Sequence, residues 1–253
     1  MYGVTTGKFA VPFVVVPDLA IPELRGQEPV TKTRAILASY LGTLAFAAFL
    51  FLGAGKLLYG PAHLYVVLAL VGVTLNHALA RPGSDITVER AKGAGAGEAW
   101  DRRILGAYFL VSLAMFVTAG LDSGRFGWSG PAPLGATVAG VALMLSGQVL
   151  FALAKRENDF FLSTAAIQTE RDHRVCTTGP YGVVRHPGYL GMLLSLLAFP
   201  LVLQSSWAFV PASVGAALLL LRTALEDRFL HARLAGYPEY AATVRWRLIP
   251  GVF

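Results

Sequence analysis

The segment Thr178-Gly-Pro-Tyr-Gly-Val-Val-Arg-His-Pro-Gly-Tyr-Leu-Gly191 leads into a stretch, His186 to Leu221, with no Lys, Arg, Asp or Glu. The acids return at once as Glu226 and Asp227. A helix rises about 1.5 Å per residue and a hydrocarbon core is about 30 Å thick, so this stretch is too long for one crossing. It is interrupted at Gln204-Ser-Ser206, which predicts a hairpin of two short helices. A dense polar cluster then sits at the mouth of an apolar hairpin, where a water-soluble reagent and a lipid-soluble one can meet.

Outward from the hairpin, four more windows lack charge: Ala35 to Gly55, Leu57 to Ala80, Ile104 to Leu121, and Phe126 to Ala154. Each is long enough to span a bilayer as a helix. The chain of 253 residues is 55% hydrophobic and only 14% charged, with a mean hydropathy of +0.58. That is too little polar surface to coat a soluble globule of this size. The expectation is an all-α fold, a polytopic membrane bundle of about six transmembrane helices ending in a helical hairpin. Residues 1–253 read as a single membrane domain. It comprises an irregular or interfacial arm at 1–33, four helices within 34–154, and a loop, hairpin and tail at 155–253.

Lys and Arg gather in short cytoplasmic loops. All but Lys56 and Arg125 of the 21 basic residues fall before the first helix, between the second and third, between the fourth and fifth, or after the sixth. This predicts an integral protein of the cell or inner membrane with both termini and the motif loop in the cytoplasm. The formal charge of +6 is accounted for by that topology, and no basic helix or stacking platform points to nucleic acid.

Other features read as structure. Cys176 is the only cysteine, so neither an intrachain disulfide nor a cysteine metal cluster can form. The five histidines are scattered without the paired spacing of a zinc site, and no metal is expected. Phe9 to Val16 is broken by Pro12 and Pro17 and is no secretory signal. Lys92-Gly-Ala-Gly-Ala-Gly-Glu98 reads as a flexible linker, because no strand precedes it. Trp128 suits an interfacial anchor. Gly135, Ala139, Gly140, Ala142, Ser146 and Gly147 suit close helix packing. Asn76, His77 and Gln148 suit interhelical hydrogen bonds. A transporter reading lacks inverted repeats or ionisable residues near the midplane.

Around the motif, Pro187 drives His186 out of the α region and starts a helix. The N–H groups and dipole at that helix start form an anion site, to which Arg185 adds a bidentate fork. Arg222 and Glu226 stand four apart on one helical face, with Asp227 beside them. Alone, these could be a stop signal and a surface salt bridge. If the hairpin helices are antiparallel neighbours, Arg185, His186, Tyr189, Arg222, Glu226 and Asp227 converge.

The run Arg174-Val-x-x-x-Gly-Pro-Tyr-x-x-Val-Arg-His-Pro-Gly-Tyr-x-Gly191 is followed by the hairpin, an acidic pair, Gly236-Tyr-x-x-Tyr240 and Arg247-Leu-Ile-Pro250. It resembles the isoprenylcysteine carboxyl methyltransferase and phospholipid methyltransferase superfamily over about residues 155 to 253. The resemblance implies a membrane methyltransferase that encloses S-adenosylmethionine in its cytoplasmic loop and tail while a lipidic acceptor enters from the bilayer. It assigns donor contacts to His173, Val175, Gly179, His186, Tyr189 and Glu226. Read physically, His186 and the helix start behind Pro187 can hold the methionine carboxylate, and Glu226 its ammonium. Tyr181 and Tyr189 can pack on adenine or beside the sulfonium. Asp227 stands where the family usually has a second glutamate.

Catalysis would be largely positioning. A carboxylate acceptor needs only a cation such as Arg185 to orient it, whereas an amine or thiol needs a base, for which Glu226, Asp227 or a histidine is available. Arg185 and Glu226 are therefore the expected catalytic residues, acting on a small lipophilic or lipid-attached acceptor. The rival is an NADPH-dependent reductase of the sterol or steroid type. Such enzymes share a His-Pro-x-Tyr-x-Gly core, and Arg171 and Arg174 could meet the 2′-phosphate.

Overall fold

The computed structural model describes residues 10–11, 14–15, 31–83, 86–92 and 97–253. Most of the expected N-terminal arm, with Pro12, Pro17, Pro22 and Pro29, and the glycine run at 93–96 lie outside the described residues. Within the arm, Ala10–Val11 and Val14–Val15 form a two-rung antiparallel ladder. Among the described residues, everything else with regular structure is helical.

The helices are α1 (Lys32–Ala54), α2 (Gly60–Ala78), α3 (Ile86–Lys92), α4 (Ala99–Ala119), α5 (Leu134–Glu157), α6 (Pro187–Val202), α7 (Phe209–Arg233) and α8 (Tyr237–Thr243). A π-helical segment, Gly120–Phe126, prolongs α4. Thr31 caps α1 by accepting the Arg34 N–H at 3.3 Å. Gly55 closes the same helix at φ +65° and donates to Phe51 O at 2.9 Å. Pro61 and Pro187 start α2 and α6, where a missing N–H costs nothing.

Among the described residues, five helices are long and apolar enough to cross a membrane: α1, α2, α4 with its π-helical extension, α5 and α7. The sixth, α6, has 16 residues, about 24 Å of helix, and is held between neighbours instead of facing lipid along its length. The chain is an integral membrane helix bundle. Its outward face carries apolar side chains such as Leu41, Leu52, Leu110 and Leu134.

Helices α4 and α7 run furthest beyond their charge-free windows. Helix α4 begins at Ala99, five positions before Ile104, and α7 continues to Arg233. The sequence marks both extensions as polar and therefore as loop; each is helical because its key charge is buried and paired, as described below. Within the polar stretch between Arg81 and Arg103, Ile86–Lys92 forms α3.

Helices α5 and α6 pack in close backbone contact. A Cβ built on Gly147 would lie 2.5 Å from Gly191 O, and one on Gly191 would lie 2.6 Å from Gly147 O. Only glycine at both positions permits that approach, which brings the start of α6 against the end of α5. At the far end of the hairpin Gln204 adopts φ +55°. The buried Asp122 side chain pins this turn, accepting from Ser205 Oγ at 2.6 Å and the Trp207 N–H at 3.3 Å.

Candidate functional site

With the hairpin closed, the start of α6 and the end of α7 meet. Arg185 and Asp227 form a buried two-point ion pair, Nε to Oδ1 at 2.8 Å and Nη2 to Oδ2 at 3.1 Å. Tyr189 O–H donates to Glu226 Oε2. The Arg222 guanidinium lies 5.0 Å from the Tyr189 ring centroid. All six residues expected to converge stand within one connected network.

Asp227 is the centre of that network. Besides Arg185, its carboxylate accepts from Arg247 Nε at 2.9 Å and from Tyr237 O–H at 3.0 Å, with His186 Nε2 at 3.4 Å. Arg185 also donates through Nη1 to the carbonyls of Val244 and Arg245, each at 2.8 Å. Four of its five N–H donors are thus used within the protein. Burial alone would lower the Arg185 pKa, but the Asp227 hydrogen bonds and charge outweigh it and raise it. Burial, then the Asp227 charge, pushes the Tyr237 hydroxyl well above its ordinary value. It stays a donor.

These contacts clasp the tail over the motif. The Arg185 N–H bonds to Trp246 O and the His186 N–H to Arg247 O, both at 2.9 Å. Tyr240 O–H donates to Tyr181 O at 2.7 Å. The Gly236-Tyr-x-x-Tyr240 spacing thereby has a physical meaning: one tyrosine reaches the hairpin acid and the next reaches the motif loop.

A second buried pair closes the other side. Arg222 does not pair with Glu226, its neighbour four residues on. It turns to Asp101 in the first turn of α4, Nε to Oδ1 at 2.7 Å and Nη2 to Oδ2 at 3.1 Å. Arg222 also donates to Ser163 O at 2.8 Å, and Asp101 accepts the Ala165 N–H at 2.8 Å. The pair ties α4, α7 and the loop after α5 together. Arg90 donates to the carbonyls of Phe161 and Leu162 at 3.1 and 2.9 Å, with the Phe161 ring 4.9 Å away. Burial, then the Arg222 charge, lowers the Arg90 pKa to about 10.

Between these two clasps lies a cavity of about 1080 Å³, counting its open mouth. Of the expected residues, His173, Val175, Tyr181, Arg185, His186, Tyr189 and Glu226 line it. Gly179, Pro187 and Asp227 do not. Gly179 shapes a turn at φ +57° beneath Glu157, Pro187 starts α6, and Asp227 is enclosed by the clasp. Sequence reasoning missed Asp101 and Arg90 because each sits far from the motif in an apparently polar linker. Tyr237 and Arg247 were legible only as parts of a spacing.

The wall is electrostatically lopsided. Its guanidinium groups are Arg90, Arg174, Arg185 and Arg222, while Glu226 is the one carboxylate among the described lining residues. Its aromatic faces include Tyr181, Tyr189 and Phe229. His173 stacks on Phe160 at 4.5 Å and accepts the Gln168 N–H at Nδ1; burial, then the Arg171 charge, lowers its pKa. Among the described residues no group of three or more His, Cys, Asp or Glu could hold a metal ion.

Residues 140–232 match the model of the isoprenylcysteine carboxyl methyltransferase (ICMT) family. Over this segment the chain is similar to that family. It holds α6, nearly all of α7 and both acids of the hairpin. The ICMT match marks the chain as a membrane methyltransferase in general terms. Over 169 residues the chain is also 28% identical to the cobalt-zinc-cadmium resistance protein CzcN of Cupriavidus metallidurans, covering 62% of this chain and 71% of that one.

Proposed function

We propose that the protein is a single membrane domain that moves a methyl group from S-adenosylmethionine to an oxygen, nitrogen or sulfur atom of a small lipophilic or lipid-attached acceptor. The observation that carries this is one carboxylate, Glu226, among the described residues of a cavity wall that also carries four guanidinium groups and several aromatic faces. That donor set fits the methyl donor, which has an ammonium, a carboxylate, a sulfonium and a flat base. Glu226 would hold the ammonium, its carboxylate oriented by the Tyr189 hydroxyl. His186, the α6 start and Arg174 would hold the carboxylate. Tyr181, Tyr189, His173 and Val175 would enclose the adenosine and the sulfonium, whose charge an aromatic face favours.

When bound, the donor supplies a sulfonium methyl that the acceptor's lone pair takes while the sulfur keeps the bonding electrons. The protein positions the two reactants and excludes water from a mostly apolar chamber. Arg185 and Asp227 act through the clasp, since nearly all their hydrogen-bonding capacity is taken; Gly179 and Pro187 shape the loop. Where the acceptor is an amine or thiol, Glu226 and His186 are the wall groups available to receive its proton. By the positive-inside rule this end of the bundle and both termini face the cytoplasm.

The ICMT match favours methyl transfer over the NADPH-dependent reductase reading. Purified protein is to be incubated with radiolabelled S-adenosylmethionine and a membrane lipid extract, with a Glu226→Gln sample in parallel. A labelled lipid-soluble product, lost in the variant together with donor binding, is expected. Binding of NADPH without binding of S-adenosylmethionine would overturn the reading.

A further inference from the structure

Two arginines of the cavity wall use the same edge of the guanidinium to hold a carboxylate. Arg185 grips Asp227 through Nε and Nη2 at 2.8 and 3.1 Å, and Arg222 grips Asp101 through Nε and Nη2 at 2.7 and 3.1 Å. Arg90, on α3, lines the same cavity. Its Nη1 donates to the carbonyls of Phe161 and Leu162. Its Nε and Nη2 meet no acceptor among the described residues, and no described carboxylate pairs with it. The sealed side-chain polar atoms without a partner among the described residues are Asn76 Oδ1, His77 Nδ1 and Gln148 Oε1. The Nε–Nη2 edge of Arg90 is therefore open to space instead of packed against protein.

That edge is held in place. The Arg90 guanidinium carbon lies 4.9 Å from the Phe161 ring centroid and 5.7 Å from that of Phe151, and the two rings meet edge to face at 5.3 Å. Gly188 of the motif leaves room for Phe161, since a Cβ there would stand 2.6 Å from Phe161 Cζ. Phe151 and Met192, which also line the cavity, belong to the bundle's hydrophobic core, and Phe161 packs against it. Arg90 thus stands where the polar cavity meets the apolar interior. The charges of Arg185 and Arg222 are each balanced by a buried acid; the charge of Arg90 is not. Burial and the nearby Arg222 charge disfavour its charged form, and an oxyanion on the Nε–Nη2 edge would offset both.

We infer that Arg90 determines acceptor specificity: its Nε–Nη2 edge grips a carboxylate or phosphate oxyanion on the acceptor, whose apolar body lies along Phe151, Phe161 and Met192. Arg185 is spent on the clasp, which leaves the orienting of an anionic acceptor to Arg90. The donor's amino-acid end is polar throughout and suits the Glu226 side of the cavity better than this aromatic one. Helix α3 lies outside the matched residues 140–232, so the selecting group comes from this chain's own N-terminal half. That the oxyanion belongs to a methyl acceptor rests on the methyl-transfer reading; that Arg90 binds it rests on the geometry alone.

The test uses the full-length protein in detergent and three medium-chain probes of equal length, a carboxylate, a monophosphate and an alcohol, each with a diazirine beside its head group. Crosslinked peptides are mapped by mass spectrometry. At least one anion should mark the peptides bearing Phe151 or Phe161 about tenfold more than the alcohol does, the factor a charge-assisted hydrogen bond provides, and the better of the two identifies the head group. Arg90→Gln should reduce that anion to the alcohol's yield, and Arg90→Lys, which keeps the charge without the fork, should fall between. Affinity for labelled S-adenosylmethionine, read by equilibrium dialysis, should be unchanged in both variants. Crosslinking requires no donor, so anion marking that depends on Arg90 in a protein that binds no S-adenosylmethionine would sink the methyl-transfer reading and leave the oxyanion site standing. Equal marking by all three probes overturns the inference. So does loss of donor affinity in Arg90→Gln, which would place Arg90 on the donor's carboxylate. If Arg90→Gln fails to fold, the probe comparison on the unaltered protein and on Arg90→Lys decides.

Discussion

Arg185 and Asp227, 42 positions apart, are joined at two points, Nε to Oδ1 at 2.8 Å and Nη2 to Oδ2 at 3.1 Å. Arg247 from the tail approaches the same carboxylate at 2.9 Å. The hairpin, the motif loop and the C-terminal segment therefore share one buried anion. Removing it would strand two guanidinium groups, and breaking a buried pair in this way costs about 3–5 kcal/mol.

The adjacent acids should consequently separate by phenotype. Asp227→Asn is expected to lower the thermal midpoint in detergent substantially, with donor binding weakened as a result of a loosened tail. Glu226→Gln is expected to melt near the unaltered protein while losing donor affinity, measured by equilibrium dialysis of labelled S-adenosylmethionine. An Asp227→Asn protein as stable as the parent would refute the role of clasp.

The Asp101 and Arg222 pair should behave as a unit. Either Asp101→Asn or Arg222→Leu leaves a buried partner without compensation, whereas the double substitution removes both charges together. A double-mutant cycle on unfolding free energy should give a coupling of about 1–3 kcal/mol. Additive effects would show that each side chain acts alone.

This pair also marks the limit of what the sequence discloses. The bilayer-spanning windows were legible because charge is excluded from hydrocarbon, and the hairpin because Gln204-Ser-Ser206 breaks a run too long for one helix. The meeting of Tyr189 with Glu226 followed from the hairpin's antiparallel geometry. Asp101 carries no such signal. Its partner lies 121 positions away, and next to Arg102 and Arg103 it reads as one charge in a polar loop. Arg222 was legible as a charge near Glu226, but the choice between Glu226 and Asp101 depends on how α4 packs against α7. Local spacing cannot encode that.

His173 predicts a pH response. Burial, then Arg171, holds its folded pKa below the ordinary 6.5, so the unfolded chain takes up the proton first as pH falls. Stability is therefore retained above about pH 6.5 and declines progressively below it. Thermal midpoints measured from pH 7.5 to 5 should fall more steeply for the parent than for His173→Asn, which keeps a hydrogen-bond acceptor without the titration. Parallel pH profiles for the two proteins would exclude His173 as the source.

Cys176 offers a direct reading of cavity occupancy, because it lines the cavity and is the only thiol in the chain. Burial, partly offset by its hydrogen bonds to Thr178, raises its pKa above the ordinary 9. The thiolate is the reactive form, so alkylation by iodoacetamide at pH 7.5 should be slower than for a free cysteine and should accelerate as pH rises toward 9.5. If the donor occupies this cavity, saturating S-adenosylhomocysteine should slow labelling further by covering the thiol, and Glu226→Gln should lose that protection while keeping the same basal rate. Protection that persists in Glu226→Gln would place the ligand elsewhere in the cavity, away from the carboxylate that the proposed site depends on.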